Sequence, residues 1–242
     1  MKKAPAPAWW RKKRAGNRAG RAIEPSDRKA LMQTSADMAA SGRSFAAIRT
    51  RALVLLAWGS ALRLRECLAL NVDQLLDLTD PRPWRLRSTA YLRPEQSKSR
   101  RAGARQWEGG GTFVLSKAAR VALRAYLRAA ESRGWIAWPP PPDVPLFITA
   151  RGGGASRRAG QLRLLRRAAQ YQWVALCKRA SVSQPYRFHD LRHDALTRVA
   201  EATNGDPFKV AAFGRFQSMD TALRYVHHSP IALADLATAA DL

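Results

Sequence analysis

A chain of 242 residues with 46% hydrophobic side chains is long enough to bury a real core, yet it carries 42 Lys plus Arg against 18 Asp plus Glu, a formal charge of +24. That balance is far from an ordinary cytosolic enzyme of small metabolites and implies a polyanionic partner, because phosphate backbones reward a cationic surface through counterion release. The longest apolar stretch, 52–62, is flanked by Arg51 and Arg63 and is too short to span a bilayer, and the basic N-terminus lacks the apolar centre of a secretory signal. No membrane partner and a cytoplasmic location are therefore expected. Cys67 and Cys177 stand alone, without metal-ligand spacing, so they read as buried thiols and no metal site is expected.

Residues 1–24, rich in Ala, Pro, Arg and Lys and aperiodic apart from Trp9 and Trp10, read as a disordered basic arm able to follow a DNA groove. Eight of the cations lie in residues 1–22 with no acid among them, leaving +16 for the body of the chain. Ser26 reads as the N-cap of a helix reaching about Ala40, with Ala30, Leu31, Thr34 and Met38 near one face. A second helix is expected from Phe45 to Trp58, broken by Gly59, and a short third from Leu64 to Leu70, which puts Arg63 at a tight connection.

From Trp84 to Leu115 short apolar runs (Leu86, Tyr91, Phe113, Val114) are separated by Ser, Pro and the glycines 109–111, a pattern that predicts a small antiparallel sheet. Helical periodicity returns over Lys117–Arg133, Pro139–Pro142 force an extended loop, and a short strand is expected at Leu146–Ile148. A basic helix over about Gly160–Arg179, one over Asp190–Ala202 and short ones near Pro207, Thr221 and Ile231 complete a mainly α fold with a small antiparallel β-sheet (α+β).

The most specific segment is Phe188-His189-Asp190-Leu191-Arg192-His193. On a helix His189 and Arg192, three apart, share a face, so an imidazole and a guanidinium can converge on one anion. A phosphate suits that pair, but so does a plain solvated helix surface, and these two residues alone leave both readings standing. Two further segments decide between them: Ala61-Leu62-Arg63-Leu64-Arg65-Glu66-Cys67-Leu68-Ala69-Leu70 upstream and Phe213-Gly214-Arg215-Phe216-Gln217-Ser218-Met219-Asp220-Thr221-Ala222-Leu223-Arg224-Tyr225-Val226-His227 downstream.

In this order the three segments resemble the tyrosine recombinase (phage integrase) family, whose pattern runs G-L-R-x-x-E-L, a lysine in a β-hairpin, H-x-L-R-H, then L-G-H-x-x-x-x-T-x-x-Y. The resemblance covers roughly residues 25–230. It implies that family's catalytic-domain fold over 25–242, with Arg63 as the first catalytic arginine, Glu66 as the acidic residue three places on, His189 and Arg192 as the H-x-x-R pair and Tyr225 as nucleophile. Lys98, the sole lysine between Arg63 and Gly111, best matches the hairpin lysine; the other reading is a loop charge touching the DNA backbone. Nine residues before Tyr225, where the family has histidine or sometimes tryptophan, stands Phe216. Either Phe216 forms an aromatic wall without a hydrogen-bond donor, or a one-residue shift lets Arg215 donate to the phosphate, or activity is lost.

The resemblance implies a reaction without metal or other cofactor, in which Tyr225 attacks a DNA phosphodiester to give a 3′-phosphotyrosyl bond and a free 5′ hydroxyl. Arg63 and Arg192 would balance charge on the non-bridging oxygens, Lys98 would protonate the leaving oxygen, His189 would bond the phosphate or help accept the tyrosine proton, and Glu66 would orient its neighbours. Double-stranded DNA is the expected partner, with Arg100, Arg101, Arg157, Arg158, Arg163, Arg166 and Arg167 as phosphate contacts. Protomers are expected to assemble on DNA as dimers to tetramers, with Ile231, Leu233, Leu236 and Ala237 of a C-terminal helix docking on a neighbour or packing in cis. Residues 1–24 cannot form the N-terminal helical domain such recombinases usually carry, which points to a minimal or truncated member. Two rivals stand beside the recombinase: a type IB topoisomerase-like relaxing enzyme, against which HDLRH speaks, and a non-catalytic or weakly active DNA-binding member of the fold, motivated by Phe216.

Overall fold

The computed structural model describes residues 22–42, 44–80, 82–97, 110–149 and 163–226. Helices α1 (Pro25–Ala40), α2 (Phe45–Gly59) and α3 (Leu64–Ala69) lead into a hairpin of β1 (Thr89–Leu92) and β2 (Gly111–Val114). Then follow α4 (Lys117–Glu131), α5 (Arg166–Arg179), α6 (Asp190–Ala202), α7 (Pro207–Gly214) and α8 (Met219–Val226). The fold is thus mainly helical with a small antiparallel sheet.

The centre is α2, whose sequence is apolar around most of its circumference; such a helix is stable only when surrounded. It is surrounded: α1, α3, α4, α5 and α6 all pack on it. Its partner α4 is amphipathic, burying Ala119, Ala122, Leu123, Tyr126, Leu127 and Ala130 on one face, and begins where Ser116 Oγ accepts from the Ala119 N–H at 3.2 Å. Gly59 permits that cap to seat, since a Cβ there would lie 2.5 Å from Ser116 Oγ. In the hairpin, Thr89 pairs with Val114 and Leu92 with Gly111; Ala90, Leu92 and Phe113 face the core while Tyr91 and Val114 face out.

Three expectations shift. The arm expected to end at residue 24 is docked before that: Ile23 is 1% exposed and its N–H donates to Asp194 Oδ1, while the Glu24 N–H donates to Tyr186 Oη. Helix α1 accordingly starts at Pro25, whose fixed φ suits a first helical position, with Glu24 rather than Ser26 at the N-cap. The strand expected at Leu146–Ile148 reduces to isolated bridges, Pro145 with Asn71 and Ile148 with Arg163. Because Arg163 is held in that bridge, α5 begins only at Arg166. The helix expected near Ile231 lies outside the described residues. Both cysteines are buried, as their isolation predicted, and burial pushes both thiols up.

Candidate active site

The turn between α2 and α3 fixes the first half of the site. Ala61 is fully buried with φ 48°, a left-handed conformation that a non-glycine residue adopts only when its surroundings impose it. Two residues on, Arg63 caps the start of α3, and the Glu66 carboxylate accepts from the Arg63 backbone N–H at 2.8 Å and from Arg63 Nη1 at 2.7 Å. Glu66 therefore clamps both the backbone and the guanidinium of Arg63. Arg215 approaches the same carboxylate at 3.7 Å while donating to the Ser60, Ala61 and Phe213 carbonyls.

The second half comes from α6. Asp190 closes the turn into this helix by accepting from the Arg187 N–H at 2.7 Å and Arg187 Nη2 at 3.1 Å, which sets His189 at the N-cap and Arg192 in the first turn. Arg192 is 2% exposed, and its guanidinium donates to the Ala61 carbonyl and, at 2.6 Å, to the Gly214 carbonyl. One buried side chain thus ties α6 to the α2–α3 turn and to the end of α7. Burial first, then the Arg63 and Arg215 charges, push its pKa down to about 9 against the opposing pull of Glu66 and Tyr225. Three guanidiniums around one carboxylate leave positive charge uncompensated among the described residues, an arrangement chemically suited to an anion.

Helix α8 packs on both α6 and α7 and carries Tyr225 into this cluster. The Tyr225 hydroxyl lies 2.8 Å from His193 Nδ1. Its ring stacks on His193 (centroids 5.7 Å, 28°) and on Phe216 (5.8 Å, 16°), and His189 meets His193 edge-on at 4.7 Å. The Arg192 guanidinium sits 5.1 Å above the Phe216 ring. Gly214 lets that ring fold back, because a Cβ there would lie 2.6 Å from Phe216 Cε2.

Burial raises the Tyr225 pKa, although Arg192, Arg63 and Arg224 pull the other way, so the free site holds a phenol. Burial followed by His193, Arg192, Arg63 and Arg187 takes His189 down to about 4 even though that residue keeps a solvent-exposed edge. His193 is likewise lowered, by burial first, with Asp190 opposing and Arg187 and Arg192 assisting. Both imidazoles are neutral at physiological pH.

The structure thus gathers Arg63, Glu66, His189, Arg192 and Tyr225 with Phe216 and Arg215 around them. Nine residues before Tyr225 it places Phe216 in the aromatic position, while Arg215 terminates α7 in the left-handed conformation and donates from its terminal nitrogens to backbone carbonyls. It corrects Arg163, expected on the DNA surface, which donates inward to the Leu68 and Leu70 carbonyls and to Asn71 Oδ1. Arg166 and Arg167 are exposed at the start of α5, with Arg167 lying over Tyr171. Lys98, Arg100, Arg101, Arg157, Arg158 and residues 231–237 lie outside the described residues. His193 received no role from sequence alone, although its place four residues after His189 sets both on one helix face.

The phage integrase family model matches residues 21–230. Among solved structures the fold is similar to that of the XerA recombinase, with a TM-score of 0.61 and 19% identity over 92% of this chain and 66% of that one. It is also similar to the XerH site-specific recombinase in a post-cleavage complex with a palindromic difH substrate, at TM-score 0.62 and 16% identity over 95% of this chain and 56% of that one. A third is the Tn1549 transposon integrase in complex with transposon right end DNA, at 0.62 and 14% over 93% and 67%. No curated protein sequence matches the chain significantly. At these identities the likeness is one of fold, and the chain spans between 56% and 67% of these relatives' length.

Proposed function

The chain belongs to the phage integrase family, and from that premise we propose that it cleaves and rejoins double-stranded DNA as a tyrosine recombinase. The observation that carries the reading is the Tyr225 hydroxyl held 2.8 Å from His193 Nδ1, next along α6 to the buried Arg192, in a cluster where cations outnumber carboxylates. A phosphodiester at this cluster would place its non-bridging oxygens toward Arg63 and Arg192, which meets the charge that builds during attack. The Tyr225 oxygen forms a bond to phosphorus as the bond to the 5′ oxygen breaks, leaving a 3′-phosphotyrosyl link and a free 5′ hydroxyl. A second 5′ hydroxyl reverses the step on another strand, so the phosphodiester bond energy is conserved and rejoining needs neither nucleotide nor metal. Lys98 is assigned to protonate the leaving oxygen.

Duplex DNA is the proposed partner; the net charge of +24 supports it, and binding should weaken steeply as salt rises. The fold shared with XerH and the Tn1549 integrase, whose structures hold DNA, supports the same partner, and assembly of several protomers on DNA belongs to the same proposal.

The test is incubation with a pool of random-sequence duplexes carrying nicks that release the short 5′-hydroxyl product and trap the covalent step. A denaturant-resistant DNA adduct is expected from the wild type and none from Tyr225→Phe. Absence of adduct across the pool would overturn the reading, and relaxation of any supercoiled plasmid without site preference would replace it with a type IB topoisomerase activity.

A further inference from the structure

We propose that His193 is a catalytic residue whose Nδ1 accepts the proton of the Tyr225 hydroxyl during attack on the phosphate. The proposal rests on the DNA-cleavage reading and assigns a role which that reading leaves open. The distance is 2.8 Å, within the range for direct proton transfer, and the stacked arrangement of the two rings at 5.7 Å holds the contact. Both partners sit on packed helices: His193 is in α6, which the buried Arg192 and Asp194 anchor, and Tyr225 is in α8, which packs on α6 and α7. The hydrogen bond therefore belongs to the framework of the site.

The chemistry balances. In the free site the phenol donates O–H to an unprotonated Nδ1, with the imidazole proton on Nε2. As the tyrosine oxygen bonds to phosphorus, its proton passes to Nδ1 and gives an imidazolium, while the 5′ oxygen departs with a proton from the acid on the other side of the phosphate. On rejoining, the imidazolium returns that proton to the departing tyrosine oxygen. The groups facing His193 suit the cycle. Burial first, then Arg187 and Arg192, keep the ring neutral before attack, His189 meets it edge-on, and Asp190 supplies the negative charge that steadies the imidazolium. His189, which keeps a solvent-exposed edge, remains available to the phosphate itself.

The test compares adduct formation by wild type, His193→Ala and His193→Gln on the nicked duplex pool. The glutamine keeps an acceptor near the phenol but no basicity. Both variants should form adduct about 10²- to 10⁴-fold more slowly at pH 7 with DNA binding unchanged. Their rates should rise about tenfold per pH unit as hydroxide takes over, where the wild type is flat. Added imidazole should partly restore His193→Ala. The defect should persist on a substrate with a 5′-bridging sulfur leaving group, which needs no acid and so separates base from acid loss. In the DNA-free protein, ¹⁵N chemical shifts should report the Nε2–H tautomer for His193. Wild-type rates in His193→Gln, or the Nδ1–H tautomer, overturn the proposal while leaving DNA cleavage standing. No adduct from the wild type overturns both.

Discussion

Replacing Glu66 by Gln removes the carboxylate that Arg63 and Arg215 share and keeps its shape. That carboxylate is 1% exposed, accepts from Arg63 twice at 2.8 and 2.7 Å, and lies 3.7 Å from Arg215 Nη2. Breaking a buried ion pair by neutralising one partner costs about 3–5 kcal/mol. The Arg63 side chain is 34% exposed, so water screens part of its charge and the lower end of that range applies. In a domain of this size each kcal/mol shifts Tm by about 2–4 °C, so a loss near the lower end lowers it by roughly 6–12 °C. Urea and thermal unfolding, followed by tryptophan fluorescence at low salt and pH 7, measure this directly. The variant also leaves Arg63, Arg192 and Arg215 without their shared counter-charge, so sulfate should restore more stability to Glu66→Gln than it adds to the wild type. A variant within about 1 kcal/mol of wild type and equally indifferent to sulfate would refute the idea of a cation cluster held by one carboxylate.

The neighbouring packing gives further expectations. Gly214→Ala places a methyl 2.6 Å from Phe216 Cε2 and 2.9 Å from Leu196 Cδ2, so unfolding in urea should show a loss of about 1–3 kcal/mol, with Phe216 displaced from Tyr225 in a crystal structure. Asp194, fully buried, accepts from the Ile23 N–H, Arg28 Nη2 and Trp58 Nε1 at 3.0, 2.8 and 2.6 Å. Asp194→Asn should therefore cost about 3–5 kcal/mol and speed amide exchange at Ile23; unchanged exchange there would show that the segment is held by other means. His189, at about 4, and His193 both titrate below the ordinary imidazole value, so the unfolded chain takes up protons before the folded one. Stability is then full above about pH 6.5 and falls on acidification through that value. Urea midpoints measured between pH 7.5 and 4.5 should show this slope flattened in the double variant His189→Asn, His193→Asn, and an identical slope in that variant would assign it elsewhere. Phe216→Leu keeps an apolar side chain but removes the ring face under Arg192 and beside Tyr225; it should cost about 1–2 kcal/mol and slow adduct formation, whereas wild-type behaviour in both would remove the aromatic wall from the account.

Helix boundaries were legible wherever composition and period agreed: α2 is too apolar to lie on a surface, and α4 repeats its buried positions at helical spacing. The order of Arg63, His189, Arg192 and Tyr225 was also legible. Contacts between residues distant in the chain were not. Nothing in a run of arginines tells which guanidinium will find backbone carbonyls in space, so Arg163 read as a surface cation although it reaches Leu68 and Leu70. Ile23 was hidden by its basic surroundings, since one apolar residue has no period; only its meeting with Asp194, 171 positions away, buries it. The choice between Arg215 and Phe216 depended on a single left-handed residue at the end of α7, which turns the arginine inward and the ring toward Tyr225. His193 lay in plain view in the motif, but a histidine gains a role from what faces it, and α8 brings Tyr225 to it across 32 positions.

Burial and clustered guanidiniums both act on His189, His193 and Tyr225, and a phosphodiester, through its charge, offsets the second. It brings negative charge to Arg63 and Arg192, offsetting the cationic field that holds His189 and His193 low. His193 thus becomes a stronger base when the phosphate is in place. The same negative charge makes a free phenolate at Tyr225 less favourable than it is in the empty site, where burial already raises its pKa. Deprotonation ahead of attack is therefore disfavoured, and proton transfer to His193 concerted with bond formation to phosphorus becomes the accessible path. A solvent isotope effect on adduct formation should accordingly be larger in the wild type than in His193→Ala at high pH, where pre-equilibrium loss of the proton to hydroxide replaces the concerted transfer. Equal isotope effects under both conditions would mean that the proton leaves Tyr225 before the phosphate is attacked.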